Sequence, residues 1–173
     1  MKAPRLKQIR RLVKNLERAG YRAPFNILAD HEFLIAYYKS QMSLSFLEKL
    51  LNGKIRVSTT SCEYKRYTAA VKDKKLIGYV ALKKCKHTDE FRTLECLSEV
   101  VADNNPHHYF MAVAAKYARL KEEKKVPVIF IRSGVVCIET DPSLIKDIKE
   151  KEPEGLSSKE KERLEAMFND TVC

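Results

Sequence analysis

Apolar residues at the start of the chain recur at helical spacing. Leu6, Ile9, Leu12, Val13 and Leu16 fall on one face, and Gly20 follows as a stop. Lys7, Arg10, Arg11, Lys14 and Arg18 are left outside that stripe. The run "FNILAD" (25–30) reads as a short buried strand ending at Asp30, and "HEFLIAYYKS" and "LSFLEKLLNG" read as helices, the second closed by Gly53. "IRVSTT" (55–60) reads as a strand, and "SCEYKRYTAAVKDKK" as a helix with Ser61 in the N-cap place. The pattern predicts a helix through "GYVALKKC" (78–85) and another through "LECLSEVVADN" (94–104). "HHYFMAV" (107–113) and "VPVIFI" (126–131) read as strands flanking a helix in "AKYARLKEEKK", with "VVCIE" (135–139) as a final edge strand. Two charged helices, "PSLIKDIKEKE" and "SSKEKERLEAMF", are expected beyond it, hinged at "EPEG".

Strands alternating with helices predict an α/β fold with a central parallel sheet flanked by helices. Ligands collect at the carboxyl ends of the strands in such sheets, which is where Asp30 falls. The chain divides into a basic N-terminal helix (1–22), an α/β domain (23–140) and an acidic helical C-terminal arm (141–173). A length of 173 residues suits one domain with short extensions. No apolar run approaches the ~18 residues of a membrane span, and the basic N-terminus lacks the apolar core of a secretory signal. None of the five glycines falls in a phosphate-loop or dinucleotide pattern.

Charge sharpens the picture. The net charge is +10, but residues 1–22 hold eight basic side chains against Glu17 alone, and residues 138–173 hold ten acidic against six basic. A basic head and body with an acidic tail point to a polyanionic partner, most simply nucleic acid. The first helix lacks the Trp and Phe anchors of a membrane-surface helix, which favours RNA over a membrane.

"CKHTDEFRTLEC" places Cys85, His87 and Cys96 within twelve residues of a chain with five cysteines. In a reducing compartment, where this chain is expected, such a cluster holds metal more often than it forms disulfides. Zinc takes about four thiolate or imidazole ligands, so a fourth must come from elsewhere. Cys62 is the best candidate, because it opens a helix directly after a strand. Cys137 lies in a predicted strand, Cys173 ends the chain, and His107 and His108 read as strand-entry or surface residues. Spacing alone leaves open the alternative of buried thiols with an incidental histidine.

Several of these stretches carry a resemblance. "FNILAD" (25–30), "STTSC" (58–62), "CKH…LEC" (85–96), "NPHHYF" (105–110) and "VPVIFI" (126–131) resemble, in order and spacing, the Utp-twenty-three/Fcf-one family of PIN-domain proteins of the small-subunit processome, with the Utp-twenty-three branch the nearer. The resemblance covers roughly residues 22–140. It implies a PIN-like fold with an embedded structural zinc site of Cys62, Cys85, His87 and Cys96. It also implies pre-ribosomal RNA, an H/ACA small nucleolar RNA and processome proteins as partners, and a nuclear, nucleolar location.

PIN nucleases hold divalent ions with about four acids, since magnesium and manganese need carboxylate oxygens to bind and to activate water. By position Asp30 and Glu95 match two of these acids, while Arg66, Ala115 and Tyr117 stand at the other matching places. The resemblance therefore implies a catalytically inactive RNA-binding assembly factor in rRNA processing. Its RNA contacts are expected from Lys7, Arg10, Arg11, Lys14, Arg18, Lys65, Arg66, Lys72, Lys74, Lys75, Lys83, Lys84 and Lys86, with Tyr64 and Tyr67 as candidate stacking partners for bases. The alternatives are a metal-dependent endoribonuclease that recruits Asp89, Glu90, Glu99 or Asp103, and a zinc-stapled scaffold that touches proteins only.

Overall fold

The computed structural model describes residues 3–73, 75–85, 87, 93–103 and 105–144. Lys74, Lys86, Asp89, Glu90 and the expected helices of the C-terminal arm beyond residue 144 lie outside the described residues. The elements, in order, are α1 (Ala3–Arg18), β1 (Phe25–Ala29), α2 (His31–Lys39), α3 (Leu44–Leu51), β2 (Ile55–Thr60), α4 (Ser61–Ala70), β3 (Ala81–Lys83), α5 (Thr93–Val101), β4 (Phe110–Ala112), α6 (Leu120–Glu123), β5 (Val128–Arg132) and β6 (Val135–Glu139).

The strands form one six-stranded sheet in the order β3-β2-β1-β4-β5-β6. All neighbouring pairs are parallel except β5 with β6, which run antiparallel from Val128 opposite Glu139 to Arg132 opposite Val135. That hairpin turns through Ser133 and Gly134, both at positive φ. The chain builds outward from β1 to β2 and β3, then returns to the other side of β1 with β4. The β1/β4 boundary is thus the topological switch point, where parallel sheets leave a crevice at the carboxyl ends of the strands.

Successive side chains of a strand point to opposite faces, and the core divides accordingly. Phe25, Ile27 and Ala29 of β1, Phe110 and Ala112 of β4, and Ile129 of β5 join one apolar cluster with α1, α2 and α3. Leu28, Met111, Val128 and Phe130, one step out of register, join a second with Leu97 and Val101 of α5. Ile9, Val13 and Leu16 of α1 are buried in the first cluster, so the predicted apolar stripe is the docking face of the helix.

Polar residues inside the sheet have specific partners. The Ser58 and Thr59 hydroxyls donate to the carbonyls of Ile27 and Ala29, at 3.2 and 2.8 Å, which lets a hydroxyl-rich strand be buried. In "NPHHYF", the Asn105 carboxamide accepts from the Tyr109 amide and donates to the Tyr109 carbonyl and the Tyr21 hydroxyl. The His108 ring lies 4.9 Å from that of Tyr21. Gly20, at φ +95°, closes α1 against this ring, and a Cβ there would run into it.

Three expectations are corrected. Residues 78–85 do not form a helix: a 3-10 turn (Ile77–Tyr79) leads into β3, because Ala81–Lys83 find ladder partners in Ser58, Thr59 and Thr60. The helix expected over 115–125 reduces to a 3-10 turn (Ala115–Tyr117) and the single turn of α6. The N-cap of α4 is Thr60 rather than Ser61, its side chain accepting from the Glu63 amide, while the Ser61 hydroxyl donates to the Lys83 carbonyl.

Leu16 is fully buried in α1, so Leu16→Ala is expected to destabilise the fold by about 2–4 kcal/mol. The shift of the urea midpoint at constant m-value checks this. A shift of only a few tenths of a kcal/mol would show that α1 contributes nothing to the cooperative unit.

Candidate metal and nucleic-acid site

Two clusters occupy the carboxyl edge of the sheet, and each follows from where the strands end. The first is a sulfur cluster. β2 and β3 are adjacent and parallel, so the residues after them emerge side by side. Cys62 follows β2 in the first turn of α4, and Cys85 lies two residues beyond β3. Their sulfurs are 3.4 Å apart. Cys96, wholly buried in the first turn of α5, completes a group whose three Sγ atoms all lie within 4.8 Å of one another. The Cys96 thiol also donates to the Thr60 hydroxyl at 3.2 Å.

Crowding buried thiols makes their ionisation interdependent. Burial pushes the Cys96 thiol up to about 12 and also raises that of Cys62. At Cys85 burial acts in the same sense, but hydrogen bonds from the Cys62 backbone and side chain, from Cys96 and from the His87 backbone outweigh it, leaving this thiol below its ordinary value. Three convergent sulfurs are a donor set suited to a soft or borderline divalent ion, which would hold all three as thiolates. His87 is not within this group. Its Nε2 lies 3.0 Å from the Glu99 carboxylate. Cys137 is buried in β6, away from the three, beside the Arg5 guanidinium at 2.8 Å.

The second cluster surrounds Asp30 at the switch point. Asp30 is fully buried and caps α2, accepting from the Phe33 amide through Oδ1. Its Oδ2 accepts from the Ala114 amide at 3.1 Å, and its own amide donates to the Ala112 carbonyl at 2.9 Å. The carboxyl thus ties the end of β1 to the segment leaving β4. Burial pushes Asp30 up to about 7 against the pull of those two amides, with the nearby Glu63 charge adding to the rise and His31 opposing it.

Glu63 is the residue that motif matching overlooked. It is completely buried in the first turn of α4 and accepts from the His31 amide at 3.0 Å, the His31 ring Nδ1 at 2.6 Å and the Arg66 guanidinium at 2.6 Å. Its hydrogen bond to His31 raises that imidazole above the usual histidine range. The signal was present in the sequence: position three of a capped helix favours Glu, and this position directly follows Cys62. Outside the pair, Glu32 is bound to the Lys116 ammonium at 2.8 Å.

The other acids do not join Asp30 in its hydrogen bonds. Glu95 is exposed in the first turn of α5. Ala115 and Tyr117 occupy the 3-10 turn after β4, just past the Ala114 amide that binds Asp30. Glu99 faces His87, and Asp103 is almost wholly exposed beside Lys124.

Among the expected RNA-contacting cations, Lys7, Arg10, Arg11, Lys14 and Arg18 are exposed on α1, and Lys65, Lys72, Lys75 and Lys84 are exposed near α4 and β3. Arg66 is half-buried on Glu63, and the Lys83 ammonium lies 4.9 Å from the centroid of the Tyr109 ring. Tyr67 is wholly buried and cannot stack on a base. Tyr64 is packed partly against the main core.

Comparison with known proteins agrees with this architecture. Residues 49–140, just over half of the chain, match the Fcf1 protein family. A solved structure described as that of the PIN domain endonuclease Utp24 superposes with a TM-score of 0.53 at 16% identity, covering 68% of this chain and 93% of that one. The likeness establishes a PIN fold.

Both titrations at the Asp30 site act in one direction. Asp30 keeps its proton in the fold up to about 7, whereas in the unfolded chain it ionises near its ordinary 3.8. Its contribution to stability is therefore full below that value and lost as pH rises towards 7. His31, raised by Glu63, adds stability that is lost as pH rises through its elevated value. Between about pH 5 and pH 8, the wild type should lose about 1–3 kcal/mol relative to Asp30→Asn. Urea denaturation of the two proteins in parallel checks this, and a difference of opposite sign would contradict the assignment.

Proposed function

Because the chain belongs to the Fcf1 family, we propose that it is a PIN-domain protein that binds RNA without cutting it and acts in pre-ribosomal RNA processing during early assembly of the small ribosomal subunit. The observation that carries this reading is the state of the carboxylates at the switch point. Asp30 is spent on two backbone amides, and Glu63 on His31 and Arg66. A divalent ion would have to strip these partners from buried groups, and the Arg66 guanidinium would oppose it at close range. Exposed Glu95, and Ala115 and Tyr117 in place of acids, supply no replacement ligands. Loss of the acids supports placing the chain nearer the Utp-twenty-three branch of the family than the Fcf-one branch. A nucleolar location, processome partners and an H/ACA small nucleolar RNA follow from that placement.

The exposed cations of α1 and of the α4–β3 region are the proposed RNA contacts. Binding through them neutralises phosphates and releases counterions, so affinity should fall linearly on a log–log plot against salt. Zinc is the proposed occupant of the sulfur cluster, held by Cys62, Cys85 and Cys96, with His87, two residues beyond Cys85, as fourth ligand in exchange for its contact with Glu99. With every position filled by protein, the ion's role is structural, pinning the segment between β3 and α5 to the sheet.

An RNA-cleavage assay with manganese or magnesium tests the central reading. Wild type and Asp30→Asn should both stay at background while retaining salt-sensitive RNA binding, and Lys7→Glu/Arg10→Glu/Arg11→Glu should weaken that binding by about tenfold or more. Metal-dependent cleavage abolished by Asp30→Asn would establish the endoribonuclease instead. Binding indifferent to salt would favour a scaffold that contacts only proteins.

Elemental analysis tests the metal. The purified chain should carry zinc at close to one ion per molecule, lost in Cys96→Ser and retained in Cys137→Ser. A folded wild type without metal would refute the zinc assignment.

A further inference from the structure

A groove of about 700 Å³ lies between the α2–α3 turn and the segment that follows α4, bordered by Tyr38, Lys39, Met42, Asp73, Lys75 and Tyr79. Its volume falls in the range of small-ligand sites. Tyr79 is 78% exposed, far more than other aromatic side chains of the described residues that were candidates for stacking. It is also well supported. It closes the 3-10 turn Ile77–Tyr79, its amide donates to the Leu76 carbonyl at 3.1 Å, and neighbouring Ile77 is buried in the core. Tyr38 and the Lys75 amide both bind the Asp73 carboxylate at 2.9 Å, which fixes the far wall. A large aromatic ring held out in water costs apolar exposure and contributes nothing to the core.

We infer that this groove receives an unpaired base of single-stranded RNA, stacked on the Tyr79 ring, with Lys39 and Lys75 meeting the flanking phosphates. The inference rests on the RNA-binding reading above and deepens it by naming the form of RNA. A paired, stacked base offers no free face to an aromatic ring, whereas a splayed one does. The occupant follows from charge. Lysines at the border suit phosphate, and the Asp73 carboxylate, which keeps lone pairs beyond the two hydrogen bonds it accepts, suits the N–H edge of a base. Lys72 and Lys84, both exposed, precede and follow the same stretch in sequence. Tyr79 thereby takes the stacking role that the sequence suggested for Tyr64 and Tyr67.

The test compares a short unstructured RNA with a fully paired hairpin carrying equal phosphate, using fluorescence anisotropy on the 173-residue chain. Tyr79→Ala should weaken single-strand binding about five- to hundredfold, leave hairpin binding and the salt slope unchanged, and abolish quenching of a 2-aminopurine base placed in the strand. Tyr79→Phe should behave as wild type. Single-strand affinity unchanged in Tyr79→Ala but lost in Lys7→Glu/Arg10→Glu/Arg11→Glu would overturn the groove assignment and leave the RNA reading standing. Failure of the wild type to bind either RNA would overturn both. An equal loss of hairpin binding in Tyr79→Ala would refute the single-strand preference. Self-association in the absence of RNA that vanishes in Tyr79→Ala would assign the groove to a second copy of the chain.

Discussion

Asp30 ties the end of β1 to the segment leaving β4 at the switch point of the sheet. One carboxyl oxygen caps α2 and the other takes the amide of Ala114, so β1, α2 and the segment leaving β4 meet on a single side chain. Because it is fully buried, a charge there is expensive, and the two amides only partly offset the cost. Glu63 stands close by, and its carboxylate is paired with His31 and Arg66. Both carboxylates are therefore engaged by groups of the protein itself: Asp30 by two backbone amides, Glu63 by His31 and Arg66. Satisfied buried networks rigidify and specify a fold, and they resist rearrangement.

The sulfur cluster depends on the same sheet one strand further out. Pairing of Ser58–Thr60 with Ala81–Lys83 brings Cys62 and Cys85 to adjacent ends, and α5 lays Cys96 across them. Thr60 links the two clusters, because it caps α4, on which Glu63 lies, and also accepts from the Cys96 thiol. A metal held by the three sulfurs would thus stiffen the helix that presents both Glu63 and Arg66.

Much of this was legible in the sequence, for identifiable reasons. β1, β2 and β6 are compact apolar or β-branched runs with few competing conformations, and Cys62 stood out because a strand-to-helix junction belongs at the carboxyl edge. The strand β3 was not legible. "GYVALKKC" has a pattern compatible with a helix, and only its long-range pairing with β2 decides the matter. Glu63 was overlooked because its importance lies in burial among His31 and Arg66, which no spacing rule encodes. The contact between His87 and Glu99, and the exposure of Tyr79, are likewise tertiary facts. Motif positions singled out Asp30 and Glu95; the structure added that Asp30 is buried on two amides, that Glu95 is exposed, and that Glu63 lies beside Asp30.

Carboxylates committed to protein partners, as proposed for Asp30 and Glu63, would be unavailable to a divalent ion. Titrating the isotope-labelled protein with manganese and following paramagnetic broadening of its backbone amides tests this most directly. No selective broadening is expected at Asp30, His31, Glu63 and Ala114 over the concentration range that saturates ordinary magnesium sites. Broadening that begins at those residues at low manganese, and disappears in Asp30→Asn, would contradict it.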